Sequence, residues 1–207
     1  MKILVLHLSL LFLSFSINAK QVFLGPSNNS QEEIQEALID LEPGDILTLK
    51  PGEYFFEDGL SLDIDDVIFE GSGIDETILN FENQMSGAQG LLVTSNGVTI
   101  RDFAVLDAKG DAIKVIGADG IKMIRLRTEW TGGPKETNGA YGFYPVESKD
   151  VLIDGCVAIG ASDAGIYVGQ SQNIIVKNSI AQYNVAGIEI ENCLLYTSPS
   201  PRDLWIS

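Results

Sequence analysis

The sequence predicts an all-β solenoid, a chain coiled so that equivalent short strands stack in parallel, entered through one short helix. Three observations carry this. First, one theme recurs: a Gly (once Ala), an alternating run, a small-polar turn and a second alternating run. It appears as GLSLDIDDVIFEG from Gly59, GLLVTSNGVTIRD from Gly90, AIKVIGADGIKMIR from Ala112, GFYPVESKDVLIDG from Gly142 and GIYVGQSQNIIVKN from Gly165, and GIEIEN begins again at Gly187. The starts lie 31, 22, 30, 23 and 22 residues apart. Second, the apolar sites keep their place, in the first run as Leu60/Leu62, Leu91/Val93, Ile113/Val115, Phe143/Pro145, Ile166/Val168 and Ile188/Ile190, and in the second as Val67/Phe69, Val98/Ile100, Ile121/Met123, Val151/Ile153 and Ile174/Val176. Period-two alternation buries one face and wets the other. Third, a repeat this short has no room for a strand, a crossover helix and a second strand. Each repeat is therefore one turn of a coil, whose strands find their partners in the coils above and below.

The elements follow in order. Met1–Ala19 has Lys2, the apolar run ILVLHLSLLFLSF and a small-residue end INA, the pattern of a cleaved secretory leader. The mature chain is expected to be secreted or periplasmic, and no later stretch is long enough to span a bilayer. Residues 20–58 form the cap and the first irregular strands. In SQEEIQEALIDLEPGD, Ser30 and Glu33 make a capping-box signal, Ile34, Leu38 and Leu41 share one helical face, and Pro43-Gly44 stops the helix. Such a cap covers the first strand edge, which would otherwise recruit other chains. Residues 59–192 are the coils, with Asp102, Gly155 and Asn178 suited to the tight turn after the second run.

From Cys193 the pattern stops. CLLYTSPSPRD, Cys193–Asp203, is similar to the one-frame translation of a transposase-type sequencing-library adapter. Residues 193–207 are accordingly expected to be a non-native tail. With no second cap in view, the C-terminal coils are expected to be missing.

Between leader and tail stand 11 basic and 28 acidic side chains, a net charge of −17. That surface excludes nucleic acid and anionic membrane as partners. The one histidine, His7, lies in the leader, so the body has none for metal binding or base catalysis. No metal site and no cofactor motif is identified. Cys156 stands alone in the body, which rules out a disulfide framework and leaves it packing as a small hydrophobe.

The stretch GIYVGQSQNIIVKNSIAQYNVAGIEIEN carries a family likeness that extends over roughly Gln21–Asn192. The chain resembles the right-handed parallel β-helix, or pectin-lyase-like, repeat proteins of the exported bacterial type. The resemblance implies a substrate groove along the outer face of the first strand of each coil, flanked by the loop before it. It leaves activity open, since the fold serves lyases, hydrolases, epimerases and non-enzymes.

The outward position two residues after each start runs Ser61, Leu92, Lys114, Tyr144, Tyr167, Glu189. Tyr144 and Tyr167 form a candidate sugar platform, since aromatic faces cover the apolar faces of pyranose rings. β-Propensity alone also accounts for two tyrosines there. The long insertion TEWTGGPKETNGAY is expected to bring Trp130 over the groove, or to plug that loop onto the coil. Asp111 and Asp163, two coils apart, are candidate carboxylates with Lys114 as a cation beside them, although turn aspartates are ordinary in solenoids. Paired carboxylates of this kind suit glycoside hydrolysis or calcium-assisted lyase chemistry, so Ca2+ is compatible with the face. No catalytic set is complete. The expected ligand is an extracellular or cell-wall polysaccharide, bound through Trp130, Tyr144, Tyr167 and Glu189. The alternative is a non-catalytic periplasmic or surface scaffold that docks a protein partner.

Overall fold

A computed structural model describes residues 19–196; the expected leader, apart from Ala19, and the expected tail from 197 onward lie outside the described residues. The chain winds into a right-handed solenoid of about seven turns. Three parallel sheets make its walls. An eight-stranded sheet collects Gln21–Leu24, Ile46–Leu49, Ile68–Glu70, Thr99–Arg101, Lys122–Ile124, Lys149–Asp154, Gln172–Lys177 and Leu194–Tyr196. A six-stranded sheet collects Gly52–Phe55, Thr77–Asn80, Ala104–Leu106, Arg127–Glu129, Val157–Ile159 and Ile180–Gln182. The third, the tyrosine sheet, collects Leu60–Leu62, Gln89–Val93, Asp111–Ile116, Tyr141–Val146, Ala164–Gly169 and Ala186–Glu191.

The sequence announces two strands per coil and the structure has three. The additional strands are mostly three residues long, too short for alternation to register. Among the described residues, no helix is long and apolar enough to cross a membrane.

The bore of the solenoid is the core, and like packs on like. Phe56 stacks on Phe81 at 4.7 Å, and Phe69 on Phe103 at 5.0 Å. The expected inward sites Leu91, Val93, Ile113, Val115, Ile166 and Val168 are all fully buried. Each such side chain stabilises the fold by about 1.5–3 kcal/mol relative to exposure. Cys156 is buried among them, and desolvation pushes its thiol up to about 12, which leaves it unreactive.

Corners repeat as faithfully as strands. After the eight-stranded sheet the chain turns through Asp102, Arg125, Gly155 and Asn178, all with φ between 48° and 66°. Asp, Asn and Gly tolerate this left-handed geometry. Arg125 is the unexpected member, held by its bidentate pair to Asp102 with both bonds at 2.7 Å. At the corner after the tyrosine sheet, Ser148 and Ser171 turn their hydroxyls back to Val146 O and Gly169 O, both at 2.8 Å. Cys193 continues that row with its thiol toward Glu191 O, and Leu194–Tyr196 pairs in parallel with Gln172–Lys177. Strand pairing thus runs three residues past the seam seen in the sequence.

The cap helix spans Ser30–Ile39, with Ile34, Leu38 and the following Leu41 buried as expected. Its N-terminus departs from a capping box. Asn29 occupies the cap position without a side-chain bond, and Ser27 Oγ donates to Glu33 Oε2 at 2.9 Å. Ser30 lies inside the first turn and bonds back to Ser27 O. The helix ends before Asp40, ahead of Pro43-Gly44. Its polar side also works: Gln35 donates to Ser61 O at 3.0 Å and accepts from Ser61 N at 2.9 Å. It thereby satisfies the open edge of the tyrosine sheet much as a neighbouring strand would.

Candidate functional site

The outward row of the tyrosine sheet is in the register that the repeat implies. Ser61 pairs with Leu92, Leu92 with Lys114, Lys114 with Tyr144, and Tyr167 with Glu189, while Phe143 opposite Ile166 places Tyr144 beside Tyr167. The two tyrosines meet edge to face at 5.2 Å.

A third tyrosine joins them. Tyr141 lies 4.7 Å from Tyr144 and 4.5 Å from Tyr167, nearly parallel to the latter. Strict alternation would turn Tyr141 inward. The chain, however, bends at Gly142, so that both Gly142 and Phe143 face the bore while Tyr141 stays outside. A Cβ at Gly142 would stand 2.5 Å from Thr128 Oγ1 and 2.6 Å from Gly165 O, so the bend needs glycine. The three rings are half-buried against one another rather than separately exposed.

Charges surround the rings. Lys114 Nζ sits 4.7 Å from the centre of the Tyr144 ring, a cation–π contact, and 3.9 Å from Asp111 Oδ2. Tyr167 donates its hydroxyl to Glu191 Oε2 at 2.8 Å, and its ring lies over Gly169, where a Cβ would come within 2.9 Å. Asp111 and Asp163 lie two coils apart, as expected, with Tyr141 at the level between them. Burial raises the Asp111 carboxyl above its ordinary value against the pull of Lys114. Burial, then the nearby Asp163 carboxylate, pushes the Tyr141 hydroxyl up to about 12. Tyr144 is raised by burial, then by Asp111 and Glu147, and Tyr167 chiefly by its bond to Glu191. The tyrosines are therefore neutral donors at any physiological pH. Glu189 is half-buried next to Tyr167. No group of three or more metal-ligating side chains occurs among the described residues.

Trp130 is not over the groove. It is 5% exposed, and its indole N–H donates to Ala108 O at 2.7 Å, one coil back. The insertion is thus plugged onto the coil by its tryptophan, while Pro134, Lys135 and Glu136 ride outside. These three share a groove of about 330 Å³ with Tyr183 and Val185 on the next coils. On the other side, Asp107, Lys109, Thr131 and Asn138 line one of about 440 Å³. Sequence reasoning missed Tyr141. The signal that finds it is the small residue at each repeat start, Gly90, Ala112, Gly142 or Gly165, which marks the bend and leaves the residue before it outside.

A protein-family model described as the right handed beta helix region matches residues 67–198. No curated protein sequence matches the chain significantly. Among solved structures, the chain is similar to the catalytic domain of a GH87 α-1,3-glucanase in complex with tetrasaccharides, with a TM-score of 0.66 and 17% identity over 80% of this chain and 30% of that one. It is also similar to an alginate lyase from a Paenibacillus species (TM-score 0.52, 15% identity, 84% of this chain and 65% of that one). The family 28 exopolygalacturonase of Yersinia enterocolitica gives a TM-score of 0.56 at 12% identity over 87% of this chain and 49% of that one. The chain spans less than two thirds of each of these proteins, and at such identities the likeness is one of fold. With the family model covering well over half of its length and the three stacked parallel sheets in place, the chain belongs to the right-handed β-helix family.

Proposed function

We propose that the protein is exported and recognises an extracellular or cell-wall polysaccharide on the outer face of its tyrosine sheet. The observation that carries this is the three-tyrosine cluster, Tyr141, Tyr144 and Tyr167, on one outward face. Aromatic rings held against each other lose little freedom when a pyranose ring settles on them. Glu189 and the hydroxyls of Tyr144 and Tyr167 supply hydrogen-bonding groups around that surface. The leader-like Met1–Ala19 supports export. Three solved proteins of the same fold are named for α-1,3-glucan, alginate and polygalacturonate chemistry, which is consistent with a glycan ligand.

Charge narrows the ligand. Around the rings stand Asp111, Glu147, Asp163, Glu189 and Glu191 against Lys114 alone, so a neutral or cation-bridged glycan fits better than a bare polyuronate. The role proposed is recognition rather than turnover. Asp111 is paired with Lys114, and nothing completes an acid–base pair with it. The test is electrophoresis through native gels containing a neutral glucan, or a polyuronate with and without Ca2+. Retardation of the wild type is expected in the neutral or Ca2+-loaded gel, with loss of retardation for Tyr144→Ala and Tyr167→Ala. Equal mobility of wild type and variants in every gel would sink the proposal.

A further inference from the structure

Asp45 is a buried carboxylate, 4% exposed, and no Lys or Arg side chain among the described residues pairs with it. Its two oxygens are nonetheless both engaged. Oδ2 accepts from Glu42 N at 3.0 Å, and Oδ1 accepts from Lys20 N at 2.7 Å. Burying a carboxylate without a counter-charge is costly, and evolution ordinarily supplies one. The position of Asp45 is fixed from both sides. Gly44 N bonds to Asp66 O, Ile46 N to Lys20 O, and Ile68 N to Asp45 O, so the carboxylate is held by strand pairing before anything docks on it.

The amide at Lys20 is also where the leader ends. Cleavage after Ala19 turns that nitrogen from a neutral amide into an α-ammonium group. We propose that Asp45 is a built receptor for the amino terminus created by leader removal, and that processing at Ala19–Lys20 completes the first coil. Water adds across the Ala19–Lys20 peptide bond: the carboxylate leaves with the leader and the amine stays on Lys20, protonated at neutral pH. The unpaired buried charge becomes an ion pair 2.7 Å long at the edge of the eight-stranded sheet. The ordinary charge of an α-amino group at pH 7 makes this automatic on cleavage, and charge-assisted bonds are roughly twice as strong as neutral ones. The lowered acidity range of Asp45, caused first by Glu42 N–H and then by Lys20 N–H, agrees with this placement.

The experiment has two parts. Mass spectrometry of the exported protein identifies its first residue, expected to be Lys20. The chain beginning at Lys20 is then compared in urea with the same chain extended by Gly-Ser, each with Asp45 and with Asp45→Asn. In the Asp45 background the extension is expected to raise the unfolding equilibrium constant about tenfold, and in the Asp45→Asn background by less than about twofold. Should Asp45→Asn fail to fold, the rate of α-amine acylation near pH 7 replaces it. That amine is expected to react at least about fivefold more slowly in the folded chain than in urea. Equal stability of extended and unextended chains, an unprotected α-amine, or a natural first residue other than Lys20 each overturns the proposal.

Discussion

Tyr141 and Tyr167 lie on adjacent coils with ring centroids 4.5 Å apart and planes 28° from parallel, the closest of the three contacts in the tyrosine cluster. The contact joins a residue before a repeat start to one after the next start, and it orients the exposed faces of both rings. Tyr141→Ala is therefore expected to weaken glycan retention as much as Tyr167→Ala, with the double variant little worse than either. A double-mutant cycle on stability should give a coupling of about 0.5–1.5 kcal/mol. Additive losses in retention would mean that the rings bind separately.

Trp130 separates structure from recognition. Its ring is buried and its N–H is spent on Ala108 O. Trp130→Ala is expected to cost about 3–5 kcal/mol in urea unfolding. Trp130→Phe should cost less, mainly because the Ala108 carbonyl loses its donor. Retention on a glycan gel, measured well below the unfolding midpoint, should be unchanged for Trp130→Phe.

The residues explain what the sequence could and could not disclose. The row from Ser61 to Glu189 was legible because burial enforces a strict two-residue period in those strands. Tyr141 was not, because a bend at a glycine breaks the period just where the chain leaves a loop. Trp130 was ambiguous because a Gly-rich loop fixes no direction for a side chain, and only the carbonyl of Ala108 decides it. Strands such as Ala104–Leu106 and Val157–Ile159 are too short to carry any period of their own. Gln35 was hidden for another reason. A helix cap is sought in its apolar face, and the bond that closes the sheet edge comes from its polar one.

Thr128 is a local conflict within the core. It is fully buried, and its hydroxyl has no hydrogen-bond partner. In register it stands between Val105 and Ala158. Thr128→Val replaces the orphaned hydroxyl with a methyl of similar shape and reproduces the residue one coil back. It is expected to be neutral or to stabilise by up to about 1–2 kcal/mol, read from the urea midpoint at unchanged slope. A loss of stability would show that the hydroxyl is satisfied in solution.

Gln35 closes an edge. Removing its side chain in Gln35→Ala frees both backbone groups of Ser61 at the start of the tyrosine sheet. The cost is expected to be small, about 0.5–1.5 kcal/mol, because water can replace the lost bonds. The larger consequence is association, since an unpaired edge recruits strands. Light scattering across a concentration series should show Gln35→Ala self-associating where the wild type stays at a constant mass.

Asp45 gives the acid limit of the fold. Two backbone N–H donors, from Glu42 and Lys20, hold its folded pKa below the ordinary value of 3.8. A carboxylate depressed on folding adds stability that is fully present above the unfolded pKa and is lost as pH falls through the folded one. The wild type is therefore expected to lose stability on acidification below about pH 3.8. Asp45→Asn has no carboxylate to titrate there, so it should start less stable at neutral pH and show a shallower decline over that acid range. Urea midpoints measured at pH 7, 5, 4 and 3 for both proteins check this: the gap between them should stay constant from 7 to 5 and narrow below 4. A gap that is the same at every pH would mean that the side chain acts through packing and not through its charge.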